Sequence, residues 1–261
     1  MTDLGTPWRG MGMVHRGIPV EMEWTYYWDM SNTAKWTGTE QQPEVGSLNL
    51  KSLDFAMDYN RTINGLQCIA NIGGFASVRR EFGTDLALPA ISGPYCLGIV
   101  YHRQTELTTA FGNDGDMIAI AKNNVPAGDY TPGLRSGDPY FHGAPEVIYP
   151  NAICFPTKTI TGTTANALDT THVGFLLCYG SLSKLYVDGV LEAEGDLGDT
   201  NISAGHRIVW ITGRDADGTG PTSGWGTTYS KAGEGGLAIG LPTEPQILSW
   251  MNQMMTKWGI P

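Results

Sequence analysis

The run Glu192-Ala193-Glu194-Gly195-Asp196 brings carboxylates together over five positions of the chain. Glu192 and Glu194 are two positions apart, so a strand would carry both on one face. Retaining glycosidases use two carboxyl groups about 5–5.5 Å apart, one as nucleophile and the other as acid/base. This run, however, has no third carboxylate in register and no aromatic residues to form a wall for a sugar. We therefore predict a solvated strand edge, where charges also limit aggregation.

Other catalytic patterns are absent from the sequence. It contains no Gly-x-Ser-x-Gly elbow, and its five histidines occur singly, without the spacing of paired metal ligands. Cys68, Cys96, Cys154 and Cys178 each lie among apolar residues. This setting predicts buried thiols, while a disulfide between neighbouring strands stays open as the alternative. The sequence thus favours a protein that is not an enzyme.

Two short acidic segments have the composition of calcium loops. One is Asp215-Ala216-Asp217-Gly218 and the other is Asn113-Asp114-Gly115-Asp116. Calcium takes six to eight oxygen ligands, which carboxylates and carbonyls of a bent loop supply. Asp and Asn also form turns without any metal. If a cofactor is bound, we predict calcium, and Asp215 and Asp217 are candidate ligands.

Aromatic side chains accompany the polar groups of two long Gly- and Pro-rich segments, 123–144 and 214–236. Long loops inside a compact domain are usually functional, and sugar sites place flat rings beside polar groups. The alternative for each ring is that it holds its loop in place. The predicted carbohydrate-binding residues are Tyr130, Tyr140, Trp225 and Tyr229.

Composition narrows the classes of partner. The 261 residues carry a net charge of −10, and their cations never cluster beyond the pair Arg79-Arg80. Nucleic-acid binding needs clustered cations that release counterions, so we expect no nucleic-acid partner. We also expect no membrane insertion, because no run approaches the ~18 apolar residues of a spanning helix. The first residues lack the pattern of a secretory signal, so we expect synthesis in a host cytoplasm.

Short strand patterns recur from residue 44 onward, separated by tight turns. A chain with 35 glycines and about a dozen such patterns predicts an all-β, antiparallel two-sheet sandwich. Asp188-Gly189 supplies the positive φ angles of a type I′ hairpin, with Val187 opposite Val190 and Tyr186 opposite Leu191. The predicted strands are 48–53, 67–75, 95–102, 107–111, 117–121, 146–149, 152–155, 173–179, 184–187, 190–194, 207–212 and 237–239.

The two ends of the chain differ from this pattern. Residues 1–43 concentrate aromatic residues among Gly and Pro, and we predict an arm that packs on the main domain or on a neighbouring subunit. Residues 44–261 form the predicted main domain, which closes with a helix over 243–259. Thr243 and Gln246 fit a capping box, and Gly259 is a natural stop. An apolar stripe runs along this helix at Ile247, Trp250, Met251, Met254 and Trp258.

Several segments between about residues 90 and 259 resemble laminin-G-like domains. They are the strand 95–103, the strand 172–178, the hairpin 184–191 with its Tyr-Val-Asp-Gly turn, the strand 207–211, and the closing strand and helix 237–259. The ending 250–259 is similar to that of phage-encoded versions. Thr171-His172 stands where many members have Trp. The resemblance implies a concanavalin A-like jelly roll, a lectin/glucanase fold, of the kind found in phage virion proteins.

The resemblance implies a function in binding rather than catalysis. We expect a non-enzymatic phage virion structural protein that decorates a head, fibre or tail and is located in the virion. Its expected partners are other virion proteins, further copies of itself in a homo-oligomer, and host cell-surface polysaccharide. The alternatives are a bacterial carbohydrate-binding module or lectin and, less favoured, a glycosidase of the same fold.

Overall fold

The computed structural model describes residues 22–52, 58–70, 82–103, 116–122, 130–135, 151–154, 158–164, 169–212 and 230–261. These residues form sixteen strands and one α-helix, with short 3-10 helices at Thr33–Lys35 and Gly180–Leu182. The strands are β1 (Tyr26–Asp29), β2 (Glu40–Gln41), β3 (Leu50–Ser52), β4 (Asp58–Ile63), β5 (Leu66–Ala70), β6 (Phe82–Thr84), β7 (Tyr95–Arg103), β8 (Asp116–Lys122), β9 (Tyr130–Arg135), β10 (Asn151–Cys154), β11 (Lys158–Thr161), β12 (Thr171–Cys178), β13 (Ser183–Val187), β14 (Val190–Gly195), β15 (His206–Thr212) and β16 (Ser230–Ile239). The helix, α1, spans Glu244–Trp258.

These strands make two antiparallel sheets of eight strands each. Sheet A has the order β14-β13-β12-β7-β16-β5-β4, with β1 also paired to β16, and sheet B has the order β11-β10-β9-β8-β15-β6-β3-β2. The main core lies between the sheets, where Leu97 and Leu176 of sheet A join Ile118 and Trp210 of sheet B. The predicted all-β sandwich with a short C-terminal helix is therefore confirmed.

The central strands of sheet A are buried on both faces because α1, together with Met22 and Trp24, covers their outer side. Leu97 and Ile99 of β7 belong to the core between the sheets, whereas Cys96 and Val100 belong to a second apolar cluster beneath α1. Successive residues of a strand point to opposite faces. A strand buried on both faces therefore reads as a continuous apolar run, as β7 and β12 do.

The local turn and cap predictions are confirmed. Asp188 and Gly189 have φ angles of 48° and 79°, and Val187 pairs with Val190 as Tyr186 pairs with Leu191. The Gln246 side chain accepts a hydrogen bond from the Thr243 amide at 2.9 Å, which is half of the capping box. All five residues of the predicted helix stripe are buried. Gly259 ends the helix in the left-handed conformation, with φ of 64°.

Both predicted long loops contain strand residues, since β9 (Tyr130–Arg135) lies within 123–144 and β16 begins within 214–236. The sequence placed the end of the second long loop at residue 236, but Ser230–Ile239 is a ten-residue strand, β16. Its run Gly233-Glu234-Gly235-Gly236 resembles a loop because its glycines are abundant. A Cβ on Gly235 would lie 2.2 Å from the Gly98 carbonyl oxygen of β7, and one on Gly236 would lie 2.1 Å from that of Tyr26 in β1. Glycine is needed there because strands close in on both sides.

The described part of the segment predicted as an arm packs on the sandwich. β1 pairs with β16, and Tyr27 contributes its side chain to the cluster beneath α1 while Trp28 enters the main core.

No helix within the described ranges has the length and apolar character needed to cross a membrane. The predicted strands 107–111 and 146–149 lie outside the described residues.

The cysteine prediction is confirmed at three positions. Cys68, Cys96 and Cys178 are buried thiols, and burial raises the pKa of the Cys96 thiol far above its usual range. Such thiols behave as small apolar side chains rather than as nucleophiles. The side chain of Cys154 lies outside the described residues, so its state stays a prediction.

Candidate functional site

The residues predicted to bind carbohydrate and metal lie mostly outside the described ranges. Tyr140, Trp225 and Tyr229, with the predicted calcium ligands Asp215 and Asp217, remain predictions for this reason. Tyr130 is the exception for its backbone, because it begins β9 and pairs with Ala121 in sheet B. It therefore lies in a strand rather than in a loop. Within the described ranges no group of three or more His, Cys, Asp or Glu side chains is placed to hold a metal ion.

A dense polar cluster lies beneath the end of α1. The Lys257 ammonium donates to a carboxylate oxygen of Asp29 at 2.7 Å and to one of Glu234 at 2.5 Å. The Tyr27 hydroxyl donates to the other Glu234 oxygen at 2.7 Å, and the Trp258 indole N–H donates to Glu234 at 3.0 Å. The Trp250 indole N–H donates in turn to the Tyr27 oxygen at 3.1 Å. Strand β1, strand β16 and helix α1 thus meet at one carboxylate.

The charge of this cluster is set by burial. Glu234 has no exposed surface and Asp29 is 3% exposed. Burial, with the adjacent Asp29 charge, raises the pKa of Glu234 to about 7 although Lys257 and Tyr27 act in the opposite direction. Burial by itself would lower the pKa of Lys257, but the Glu234 and Asp29 carboxylates outweigh it and the pKa is raised. The lysine is therefore charged at neutral pH, and Glu234 is poised between its two forms.

A tyrosine bonded to a carboxylate can serve as a nucleophile in enzymes. Tyr27 has no exposed surface, and Met254, Trp250 and Trp258 of α1 cover it together with Glu234. Burial, followed by the Glu234 charge, also raises the pKa of Tyr27 well above its usual value. A substrate cannot reach this pair while α1 is in place. The cluster therefore serves the attachment of the helix rather than catalysis.

A second group of hydrogen-bonded polar side chains lies at the turn of the β13–β14 hairpin. His172 Nδ1 lies 2.6 Å from Asp188 Oδ2, and His172 Nε2 lies 2.8 Å from the Thr170 hydroxyl. A carboxylate only accepts hydrogen bonds, so Nδ1 carries a proton in its contact with Asp188. The other Asp188 oxygen accepts the Val173 amide at 2.8 Å. Hydroxyl, imidazole and carboxylate follow the order of a nucleophilic triad.

The positions of these side chains give the second polar group a structural explanation. Thr170 and His172 lie two positions apart, as neighbours on one face of an extended segment do. Asp188 bonds both His172 and the Val173 backbone, which ties the hairpin turn to β12. His102 of β7 lies beside them through its 2.9 Å contact with Thr171. Burial, followed by the Lys231 charge, lowers the pKa of His102.

Glu192 of β14 and Asp196, which follows this strand, connect the two sheets at one side of the sandwich. Glu192 accepts the backbone N–H groups of Thr163 at 2.7 Å and of Thr164 at 3.0 Å, just after β11 of sheet B. Asp196 pairs with Lys158 of β11, and Glu194 lies 3.7 Å from Lys184 on the neighbouring strand. A bulge makes Glu192 the additional residue between the pairs Leu185–Ala193 and Tyr186–Leu191. Each of these carboxylates therefore has a structural partner.

Comparison with known proteins gives matches of structure alone. No protein-family model matches the chain, and no curated protein matches its sequence. The binding domain of botulinum neurotoxin serotype G shares 10% identity with a TM-score of 0.57, covering 90% of this chain and 52% of that chain. A Trypanosoma rangeli sialidase in complex with sialic acid shares 10% identity with a TM-score of 0.55, covering 88% of this chain and 33% of that chain.

Two further structural matches show the same fold in other proteins. The serotype D neurotoxin ligand-binding domain in complex with N-acetylneuraminic acid has a TM-score of 0.55 at 10% identity, over 89% of this chain and 51% of that chain. The Trypanosoma cruzi calreticulin globular domain has a TM-score of 0.51 at 9% identity, over 91% of this chain and 95% of that chain. The chain spans about half of the neurotoxin domains and a third of the sialidase. The protein therefore shares the β-sandwich fold of these domains.

Sequence reasoning missed the cluster around Glu234. Asp29 lay in the predicted arm, Glu234 in a predicted loop, and Lys257 in the predicted helix. The sequence does contain one signal, which is a lysine beside the apolar stripe of a buried helix, since a cation there needs a partner. The partners themselves lie far from Lys257 in the sequence. Only the pairing of β1 with β16 brings them together.

Proposed function

We propose that this protein is a non-enzymatic structural protein of a bacteriophage virion whose sandwich binds glycans on the host surface. The observation that carries the glycan part is the fold, which is shared with a neurotoxin ligand-binding domain solved with N-acetylneuraminic acid. The virion part rests on the phage-like ending of the sequence at 250–259. The expected site is the group of rings Tyr130, Tyr140, Trp225 and Tyr229.

Charge narrows the expected glycan. A net charge of −10 repels anionic ligands at long range. We therefore expect neutral glycans to bind more tightly than sialylated ones at low salt, and the difference to shrink as salt screens the charge. Stacking of sugars on the rings would supply most of the affinity.

A glycan array tests this function directly. The protein should be applied at about 100 μM, since a millimolar Kd corresponds to only about −4 kcal/mol. We expect hits that Trp225→Ala and Tyr140→Ala remove. Tyr179→Ala is the matched control, because Tyr179 is 39% exposed and lies outside the predicted loops. An array without hits would overturn the glycan part of the proposal.

Assembly is tested separately. A virion component should form a homo-oligomer in light scattering and be present in purified particles of the phage that encodes it. A monomer absent from such particles but binding neutral glycans would instead favour the second candidate, a bacterial carbohydrate-binding module or lectin. The shared fold favours that candidate equally. If hydrolysis of any bound glycan were detected, Glu192→Gln and Glu194→Gln would test the glycosidase alternative.

Calcium is the cofactor that we propose, at Asp215 and Asp217. A ligand that binds the folded state stabilises it by RT ln(1 + [L]/Kd), about 2.7 kcal/mol at 100 Kd. Millimolar calcium should therefore raise the melting temperature, and Asp215→Asn with Asp217→Asn should remove the effect. An unchanged melting temperature in calcium and in chelator would contradict this part of the proposal.

A further inference from the structure

The cluster of Asp29, Glu234 and Lys257 holds two buried carboxylates and the ammonium of a lysine whose side chain is 23% exposed. Fully ionised, it has a net charge of −1, which is costly to bury. One bound proton on Glu234 makes the cluster neutral. Because Lys257 belongs to α1 and both carboxylates belong to sheet A, the charge of the cluster acts on the attachment of the helix.

We propose that Asp29, Glu234 and Lys257 form a proton-operated latch, which holds the C-terminal turn of α1 on sheet A most firmly when Glu234 is protonated. The latch connects to the last residues of the chain. The Asn64 side-chain amide, at the β4–β5 turn, donates to the Trp258 carbonyl at 2.6 Å. Opening of this turn would give Glu234, Tyr27 and Trp258 access to water.

Among the described residues, few titratable groups other than those of the latch lie close enough to Glu234 to affect its protonation. From β1 it faces Tyr27 and Asp29, and from α1 it faces Lys257 and the Trp258 indole N–H. Its partner in β7 is Val100, and the β5 residues beside β16 are Ile69 and Ala70. The titratable groups that act on it are therefore the three residues Tyr27, Asp29 and Lys257.

The sign of the pH effect follows from the two states. In the docked state the pKa of Glu234 is about 7, against an ordinary value of 4.5 once the turn opens. The docked state thus binds the proton more tightly. Raising the pH from 4.5 to 7 favours opening by up to about tenfold per pH unit, and the effect levels off above pH 7.

Amide hydrogen exchange of residues 254–261, corrected for its intrinsic dependence on pH, measures this opening. In the wild-type protein we expect the opening constant to rise from pH 5 to pH 7 and then to level off. Glu234→Gln should remove the rise. Glu194→Gln is the matched control, because the Glu194 side chain is 67% exposed on the same sheet, and it should behave as the wild type.

Two further variants move the effect in opposite directions. Lys257→Met removes the charge that favours ionised Glu234, so the rise should extend above pH 7. Asp29→Asn removes the competing negative charge, so the rise should end at lower pH. A carbon-13 titration of the Glu234 carboxyl in the wild-type protein requires no variant and should give a midpoint near 7.

Three results would overturn the latch. The first is corrected exchange of 254–261 that does not change between pH 5 and 7 in the wild-type protein. The second is a rise that persists in Glu234→Gln, which would place the proton elsewhere. The third is a Glu234 carboxyl that titrates below pH 5. If Glu234→Gln does not fold, the carbon-13 titration and the opposite shifts in Lys257→Met and Asp29→Asn decide.

Discussion

The Tyr27 hydroxyl donates a 2.7 Å hydrogen bond to the Glu234 carboxylate across 207 positions of the sequence. Both residues are fully buried, and the Trp250 indole of α1 donates to the same hydroxyl. This contact joins the first described strand, the last strand and the helix. The stability of the outer layer of the sandwich therefore depends on it.

Tyr27→Phe should destabilise the protein by about 1–3 kcal/mol, because it leaves a buried carboxylate and a buried indole N–H with one partner fewer. Chemical denaturation measures the loss. Tyr179→Phe, at a half-exposed tyrosine, should change the free energy of unfolding by less than about 0.5 kcal/mol. Equal effects of the two substitutions would contradict the role assigned to the Tyr27 hydroxyl.

Asp188→Asn should cost about 1–2 kcal/mol, since it removes the charged acceptor of the His172 and Val173 hydrogen bonds. Asn also accepts positive φ, so the turn itself should be kept. Asp188→Ala should cost more, because it adds the strain of φ 48°. If the Asp188→Asn variant unfolded at the same denaturant concentration as the wild-type protein, the Asp188 carboxylate would contribute nothing to stability.

Gly98→Ala should destabilise by about 1–3 kcal/mol through overpacking. A Cβ at this position would lie 2.7 Å from the Trp250 ring and 2.9 Å from the Trp24 ring. Gly195→Ala is the matched control in the same sheet, because its Cβ would meet Ile160 at an ordinary 3.7 Å. Thermal unfolding of the two variants makes the comparison, and a larger loss in Gly195→Ala would refute the packing argument.

Glu192→Gln should lower the free energy of unfolding by about 1 kcal/mol, because the ionised acceptor of the Thr163 and Thr164 amides is lost. Hydrogen exchange should increase at those two amides first. Glu194→Gln removes a contact at 3.7 Å to Lys184, and exposed pairs of this kind contribute little. We expect no change in exchange at Thr163 and Thr164 in that variant, and an equal change in both would contradict the prediction.

Local patterns predicted several elements correctly. The Asp188-Gly189 turn, the capping box at Thr243 and the buried stripe from Ile247 to Trp258 each depend on residues within about a dozen positions of one another. Backbone φ preferences, capping and helical spacing act over that range. The alternation and length of the strand patterns were also sufficient to predict a two-sheet sandwich.

The roles of individual carboxylates were not contained in the local sequence patterns. Glu192 was predicted at a solvated strand edge, and Glu234 lay in a glycine-rich segment predicted as a loop. The fold places Glu192 at the side where β14 meets the end of β11, and it places Glu234 beneath α1. Which strand passes beside another was decided by pairing across the whole chain.

The sequence by itself determined the class of the fold, the hairpin and the amphipathic helix, because these follow from short-range backbone and apolar patterns. Tertiary structure decided that a glycine-rich segment is the strand β16 and that Asp29, Glu234 and Lys257 meet in one cluster. The physical reason is that burial and the pKa of a carboxyl depend on the groups around it in space. Those groups come from β1, β16 and α1, at opposite ends of the described chain.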